Sequence, residues 1–255
     1  MMHRRFPLLA LPLFLLLSGC GTSSYGWGWH ILSPADPRGW RNIRFLLDGY
    51  WATLSLSLAS IAISVVAGVL LAMLALSKRR GLRAINRVYV ELFRAIPLLV
   101  LLLWVYYGLP VVFGIQIGVF AAGVLSLSLS DAAFEAEIFR GGIQSIAAGQ
   151  REAAKSLGLT NWQAMRLVIL PQAVRRILPA LGNQFVYVLK MSSLISVIGY
   201  QELTRRANEL TLAEYRPLEI YSFLVVEYLV LILIASWLVR RLEQRLGANE
   251  GHAGK

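Results

Sequence analysis

The sequence is short of the residues that make cross-links and hold cofactors. One cysteine, Cys20, stands in 255 residues, so no disulfide can form within the chain. The three histidines, His3, His30 and His252, lie far apart and have no metal-ligand spacing. No glycine-rich loop ending in Lys-Ser or Lys-Thr is present, which removes that route to ATP. No nucleophile is paired with a base, and Asp131, Glu135 and Glu137 have no metal-ligand company. No catalytic residue, cofactor or metal is therefore expected. Charge is also scarce, above all acidic charge. Charged residues make up 15% of the chain, 14 acidic against 25 basic, where a soluble domain carries about 25%.

Apolar residues fill the gap, at 57% of the chain. The stretches 50–77 and 95–130 contain no charge at all. A membrane-spanning helix needs about 20 apolar residues, so the second stretch is too long for one crossing. Gly108-Leu109-Pro110 and Gly114 lie near its middle and predict a tight hairpin there. The pattern predicts an all-α membrane protein with a five-span core, at 46–76, 88–111, 115–139, 177–200 and 218–239. The first and third are long enough to tilt or to extend past the bilayer. No internal duplication is visible, which argues against a secondary transporter built from inverted repeats.

The ends and the charges set the expected orientation. Arg4 and Arg5 precede an apolar run and then Leu17-Ser18-Gly19-Cys20, so residues 1–20 read as a secretory signal. The tetrapeptide resembles a lipobox, which implies cleavage and lipidation at Cys20; an uncleaved anchor is the equal alternative. Residues 21–44 are expected as a periplasmic leader, 45–246 as the membrane domain and 247–255 as a cytoplasmic tail. The net charge of +11 comes from basic residues clustered at the ends of apolar runs. That is the positive-inside pattern, and no nucleic-acid-binding motif accompanies it. Five crossings from an outside start place Lys78, Arg79, Arg80, Arg83, Arg87, Arg240, Arg241 and Arg245 inside. Arg205, Arg206 and Arg216 dissent mildly.

The polar insertion 149–171, GQREAAKSLGLTNWQAMRLVILP, is the chief functional signal. Strong helix formers run from Gln150 to Leu157, and Gly158 suits a left-handed ending with Leu159 packing back. Thr160 and Gln163 form a capping box that opens a second helix. Pro171 marks where regular hydrogen bonding is expected to break. The prediction is helix, tight turn, helix, facing the cytoplasm.

Glu152-Ala153-Ala154, Gly158 and Leu170-Pro171 resemble the EAA signature of permease subunits in ATP-binding cassette importers. The run 136–146, Leu92-Phe93-Arg94 with Pro97, Gly182-Asn183-Gln184-Phe185 and Ser193-Leu194 resemble the polar-amino-acid branch, the histidine, glutamine and glutamate type. The resemblance spans about 45–246. It implies an inner-membrane type I importer permease that forms the path for a polar amino acid or a relative such as an opine. It implies a cytoplasmic ATP-binding subunit dimer, a second permease subunit, identical or homologous, and a periplasmic solute-binding protein. It also implies that Glu152, Ala153, Ala154, Gly158, Leu170 and Pro171 carry the ATPase coupling. Two features depart from the branch. Its Arg-Gly-Thr-Pro reads Arg94-Ala95-Ile96-Pro97, and its usual Ser and Tyr are Asp131 and Phe134; a scaffold role in a heterodimeric pair is one consequence. Lys190, Arg94, Asp131 and Glu135 are the candidates for the translocation path, with Glu227 beside them, because intramembrane charges face protein or water. Internal ties, with the acids pairing Arg94, Lys190 or Arg140, are the alternative for each. An ion-gradient transporter using Lys190 and Glu227, or a scaffold tethered through Cys20, are the rival readings.

Overall fold

The computed structural model describes residues 25–245. The signal-like segment 1–20 with Cys20 and the tail 247–255 lie outside the described residues. Within them the chain is helical. Asp36 accepts a hydrogen bond from the Arg38 N–H at 2.7 Å and, with Pro37 in the first turn, starts α1, Pro37–Leu47. Asp48 links it to α2, Gly49–Ala75. Then follow α3, Arg80–Ala95, and α4, Leu98–Leu103, which passes through a π-turn, Trp104–Gly108, into α5, Leu109–Phe113. The long α6, Val119–Gln144, leads to the short pair α7, Ala148–Ser156, and α8, Asn161–Ala164. A second π-turn, Met165–Ile169, joins α8 to α9, Leu170–Met191. A 3-10 segment, Ser192–Ile198, then α10, Leu203–Glu214, and α11, Pro217–Arg245, complete the chain.

Helices α2 and α6 form the centre and run in the same direction. Gly123 meets Leu56, and an equal step along both helices brings Gly68 against Glu135. The buried stripe of α2 is Thr53, Ser57, Ser60, Ser64, Gly68 and Ala72. Side chains this small let two backbones approach within a bilayer, where packing rather than water exclusion drives helix association. Helix α9 lies antiparallel to α6, with Ile177 beside Gly142 and Gln184 beside Asp131, and the 3-10 segment after it brings Ile195 beside Gly123. Helix α11 closes the layer through Val239 on Gly182 and the Tyr50 O–H donating to the Glu227 carbonyl at 2.9 Å. The hairpin of α7 and α8 therefore lies at one end of the bundle. Residues 25–48 and 199–219 lie at the other.

Among the described residues four helical stretches are long and apolar enough to cross a membrane, 37–75, 119–144, 161–198 and 217–245, and the bent pair α3 with α4–α5 passes the same test only when counted as one broken span. That pair corrects the straight span expected at 88–111. The axis turns by 100° between Ala95 and Leu98, because Pro97 holds Ile96 in extended backbone at ψ 123°. The expected turn at Gly108-Leu109-Pro110 is also corrected. Those residues are helical, and the chain turns at Gly114, where φ is +68°. At Pro171 the regular α ladder does break, into the π-turn Met165–Ile169, while the helical stretch 161–198 continues through it. Both prolines follow a π-turn by two residues. The wider turn restarts the hydrogen-bond ladder, so each proline sits in a new first turn, where its missing N–H costs nothing.

Candidate functional site

The hairpin has the local chemistry its sequence predicts. The Gly158 N–H donates to the Lys155 carbonyl at 2.9 Å and the Leu159 N–H to the Ala154 carbonyl at 3.1 Å, the paired bonds of a Schellman ending. Gly158 takes φ +78°, which only glycine adopts without cost. Thr160 accepts from the Gln163 N–H at 3.3 Å, while Gln163 Oε1 accepts from the Thr160 N–H at 2.9 Å. The first helix begins at Ala148, slightly earlier than expected.

Two polar ties clamp the base of the hairpin. Arg176 Nη1 donates to the Ser145 carbonyl at 2.6 Å, placing a cation on the C-terminal end of α6, where the helix dipole favours it. Gln172 Nε2 reaches the Val168 carbonyl at 2.8 Å and Gln150 Oε1 at 3.4 Å. Ala154 is buried with Ala164 and Ile169, so it packs the two short helices together. Glu152, Ala153, Gly158, Leu170 and Pro171 stay exposed. So do three large apolar side chains at the tip and flank: Leu157 at 80%, Trp162 at 69% and Leu167 at 63%. Rigid caps, a clamped base and bare apolar tips make a part that can transmit force to a groove elsewhere.

The intramembrane charges divide into three kinds. Asp131 is buried and tied to neutral groups: it accepts from Ser64 Oγ at 2.6 Å and from Gln184 Nε2. It thus pins α2, α6 and α9 together, where a pairing with Arg94, Lys190 or Arg140 was one expectation. Glu135, one turn further on the same face, is fully buried against Gly68, and neither carboxylate oxygen has a partner. Glu227 is buried in the same orphaned state. Lys190 and Arg94, by contrast, are exposed on the protomer surface. Lys190 lies with Ser193, Val225, Tyr228, Leu229 and Ile232 around a shallow recess of about 450 Å3 between α9 and α11. Arg94 stacks over the Phe134 ring at 5.2 Å, while Glu137 pairs with Arg140 at 2.5 Å.

Sequence reasoning missed Ser64, Gln184, Gln172 and Arg176 as ties. Gln184 stood within a recognised motif without a role, and Ser64 was legible as one of the serines repeating along 53–68. Nothing local marks Arg176, because its partner at Ser145 comes from the preceding helix.

The comparisons agree with this geometry. Residues 43–248 match the family described as binding-protein-dependent transport system inner membrane component. The glutamine transport system permease protein GlnP of Escherichia coli K12 is 38% identical over 208 residues, covering 81% of this chain and 95% of that protein. The arginine transport system permease protein ArtQ of Bacillus subtilis is 37% identical over 208 residues, covering 82% and 95%. A chain from the crystal structure of an amino acid ABC transporter with histidines superposes with a TM-score of 0.76 at 41% identity, covering 80% of this chain and 95% of that one. An inward-facing MetNI methionine ABC transporter chain shares the fold, with a TM-score of 0.68 at 23% identity. The chain belongs to the family of binding-protein-dependent transport system inner membrane components, as a multi-pass permease subunit of an ABC importer rather than an enzyme.

Proposed function

We propose that this subunit forms the translocation path for a polar amino acid and is moved by a cytoplasmic ATP-binding dimer gripping residues 148–169. The observation that carries the coupling role is the capped hairpin with Leu157, Trp162 and Leu167 bare in an otherwise polar insertion. An ATPase groove would cover those side chains, with Glu152 and Ala153 on the contact and Ala154 holding the helix pair behind it. Relatives named for glutamine and arginine transport support the amino-acid class.

The basic residues at the hairpin end support an inside location for it, with the start of the membrane domain and residues 25–48 periplasmic and α11 ending in the cytoplasm. A solute-binding protein then meets the opposite end. Lys190 supports a second permease subunit, because an exposed ammonium within a span must face protein or water rather than lipid. The recess beside it is the face that partner covers, and Lys190 lines the shared path. Asp131 serves as a tie within the protomer.

Gly158→Val tests the coupling. A β-branched residue at φ +78° costs on the order of 1–3 kcal/mol locally and reshapes the turn. Co-purification of the ATP-binding subunits should fall at least about tenfold, with normal amounts of the variant in the membrane. Wild-type co-purification together with wild-type ATP-dependent uptake would refute the assignment. Labelling a cysteine introduced at Lys155 checks the side: it should react with an impermeant thiol reagent only in inverted vesicles.

A further inference from the structure

We infer that the cleft between α3 and the C-terminal ends of α2 and α6 is a binding site for an anionic phospholipid headgroup. The cleft encloses about 390 Å3 and is bounded by Arg83, Arg87, Arg94 and Arg140, with Asn86, Glu91 and Glu137 also on its wall. Four guanidinium groups thus face two carboxylates. Arg140 is already engaged, to Glu137 at 2.5 Å and to Gln144 at 2.7 Å. Arg83, Arg87 and Arg94 make no ion pair among the described residues. With Arg94 stacked on Phe134 and two carboxylates against four guanidiniums, the concavity keeps a positive excess, and the planar forks of Arg83 and Arg87 fit the paired oxygens of a phosphate.

A second observation points the same way. Asn86 lines the cleft at 6% exposure, and its Oδ1 is buried without a hydrogen-bond partner. An orphaned buried acceptor calls for a donor. A phosphodiester group has none to give, whereas the glycerol hydroxyls of a phosphatidylglycerol headgroup do, and Glu91 offers them a second acceptor. The depth is also right. The opposite face of α3 exposes Ile85, Val88 and Leu92, so the helix is amphipathic and lies where apolar and polar phases meet. Basic pockets at that level are where anionic headgroups bind. The positive excess favours an anionic lipid over a zwitterionic one. Only the choice of leaflet, the inner one, rests on the proposed orientation; retention in detergent is read independently of it.

Native mass spectrometry of the full chain in detergent, titrated with phosphatidylglycerol and in parallel with phosphatidylcholine of the same acyl chains, tests the site. The wild type should retain phosphatidylglycerol at least about tenfold better than phosphatidylcholine. Arg83→Gln with Arg87→Gln should lower that retention about twentyfold, while the paired Lys replacements keep a substantial part of it. Equal retention of the two lipids by the wild type overturns the inference, as does undiminished retention by the double Gln variant. Glycerol 3-phosphate or inorganic phosphate that displaces the lipid at equal concentration would assign a soluble anion and overturn the lipid.

Discussion

The two ends of the bundle solve opposite problems. At the hairpin end, short-range bonds fix the shape of residues 148–169 and leave its apolar tips bare. At the far end, carboxylates tie segments distant in sequence into a closed surface. Glu219, fully buried, accepts from the Tyr25 O–H and from the Gly28 N–H, each at 2.5 Å. Glu214 takes Arg38 with both oxygens, at 3.0 and 2.7 Å, and Asn42 at 3.0 Å. Glu202 caps α10 through the Thr204 and Arg205 N–H groups and also accepts from the Tyr228 O–H at 3.0 Å. The exposed hairpin is shaped mainly by bonds local to its own caps. A part meant to hold the bundle together places its bonds between elements.

This contrast predicts that stability and coupling can be damaged separately. The largest stability loss should follow Glu219→Ala, which orphans the Gly28 N–H and releases Tyr25. A loss of about 3 kcal/mol is expected, read as a lower thermal midpoint in detergent with ATP-binding subunits still retained. Trp162→Ala should do the reverse. Its side chain is 69% exposed, so stability should move by no more than about 0.5 kcal/mol, while affinity for the ATP-binding subunits drops about tenfold. Equal effects of these two variants on both measurements would erase the distinction. Arg176→Ala should fall between them. Loss of the bond to the Ser145 carbonyl costs about 1 kcal/mol, and it should loosen the hairpin so that ATP hydrolysis continues with less uptake per turnover.

The far end also carries a pH dependence. Burial pushes the Glu202 carboxyl up to about 7 in spite of its three donors. Its value in the unfolded chain is lower, so between those two values the folded state binds more protons. Stability therefore decreases as pH rises through that window, by at most about 3 kcal/mol. Glu202→Gln should match the wild type near pH 5 and exceed it near pH 8, measured as thermal midpoints across that range. A wild-type midpoint that climbs with pH over the same interval, unchanged by the substitution, contradicts the assignment.

Much of this was legible in the chain. Apolar run length gives the spans because a bilayer has one thickness, and the hairpin's caps are written within a few residues of one another. Gly158, Thr160 and Gln163 need no distant partner to do their work. Pro110 misled, because a π-turn two residues upstream depends on the path of the whole helix rather than on any local motif, whereas Pro171 does mark the break its sequence predicts. Pro97 bent its span by 100°, whereas composition alone reads that span as straight.

The sequence by itself determined the all-helical class, the long apolar stretches and the shape of the hairpin, since hydrophobic length and capping act over short range. Only the tertiary structure decided which charges are ties and which are surface. Asp131 finds Ser64 and Gln184, Glu135 and Glu227 find nothing, and Arg83, Arg87 and Arg94 gather around one cleft. A buried charge takes its role from the groups that packing brings to it, and those come from helices far apart along the chain.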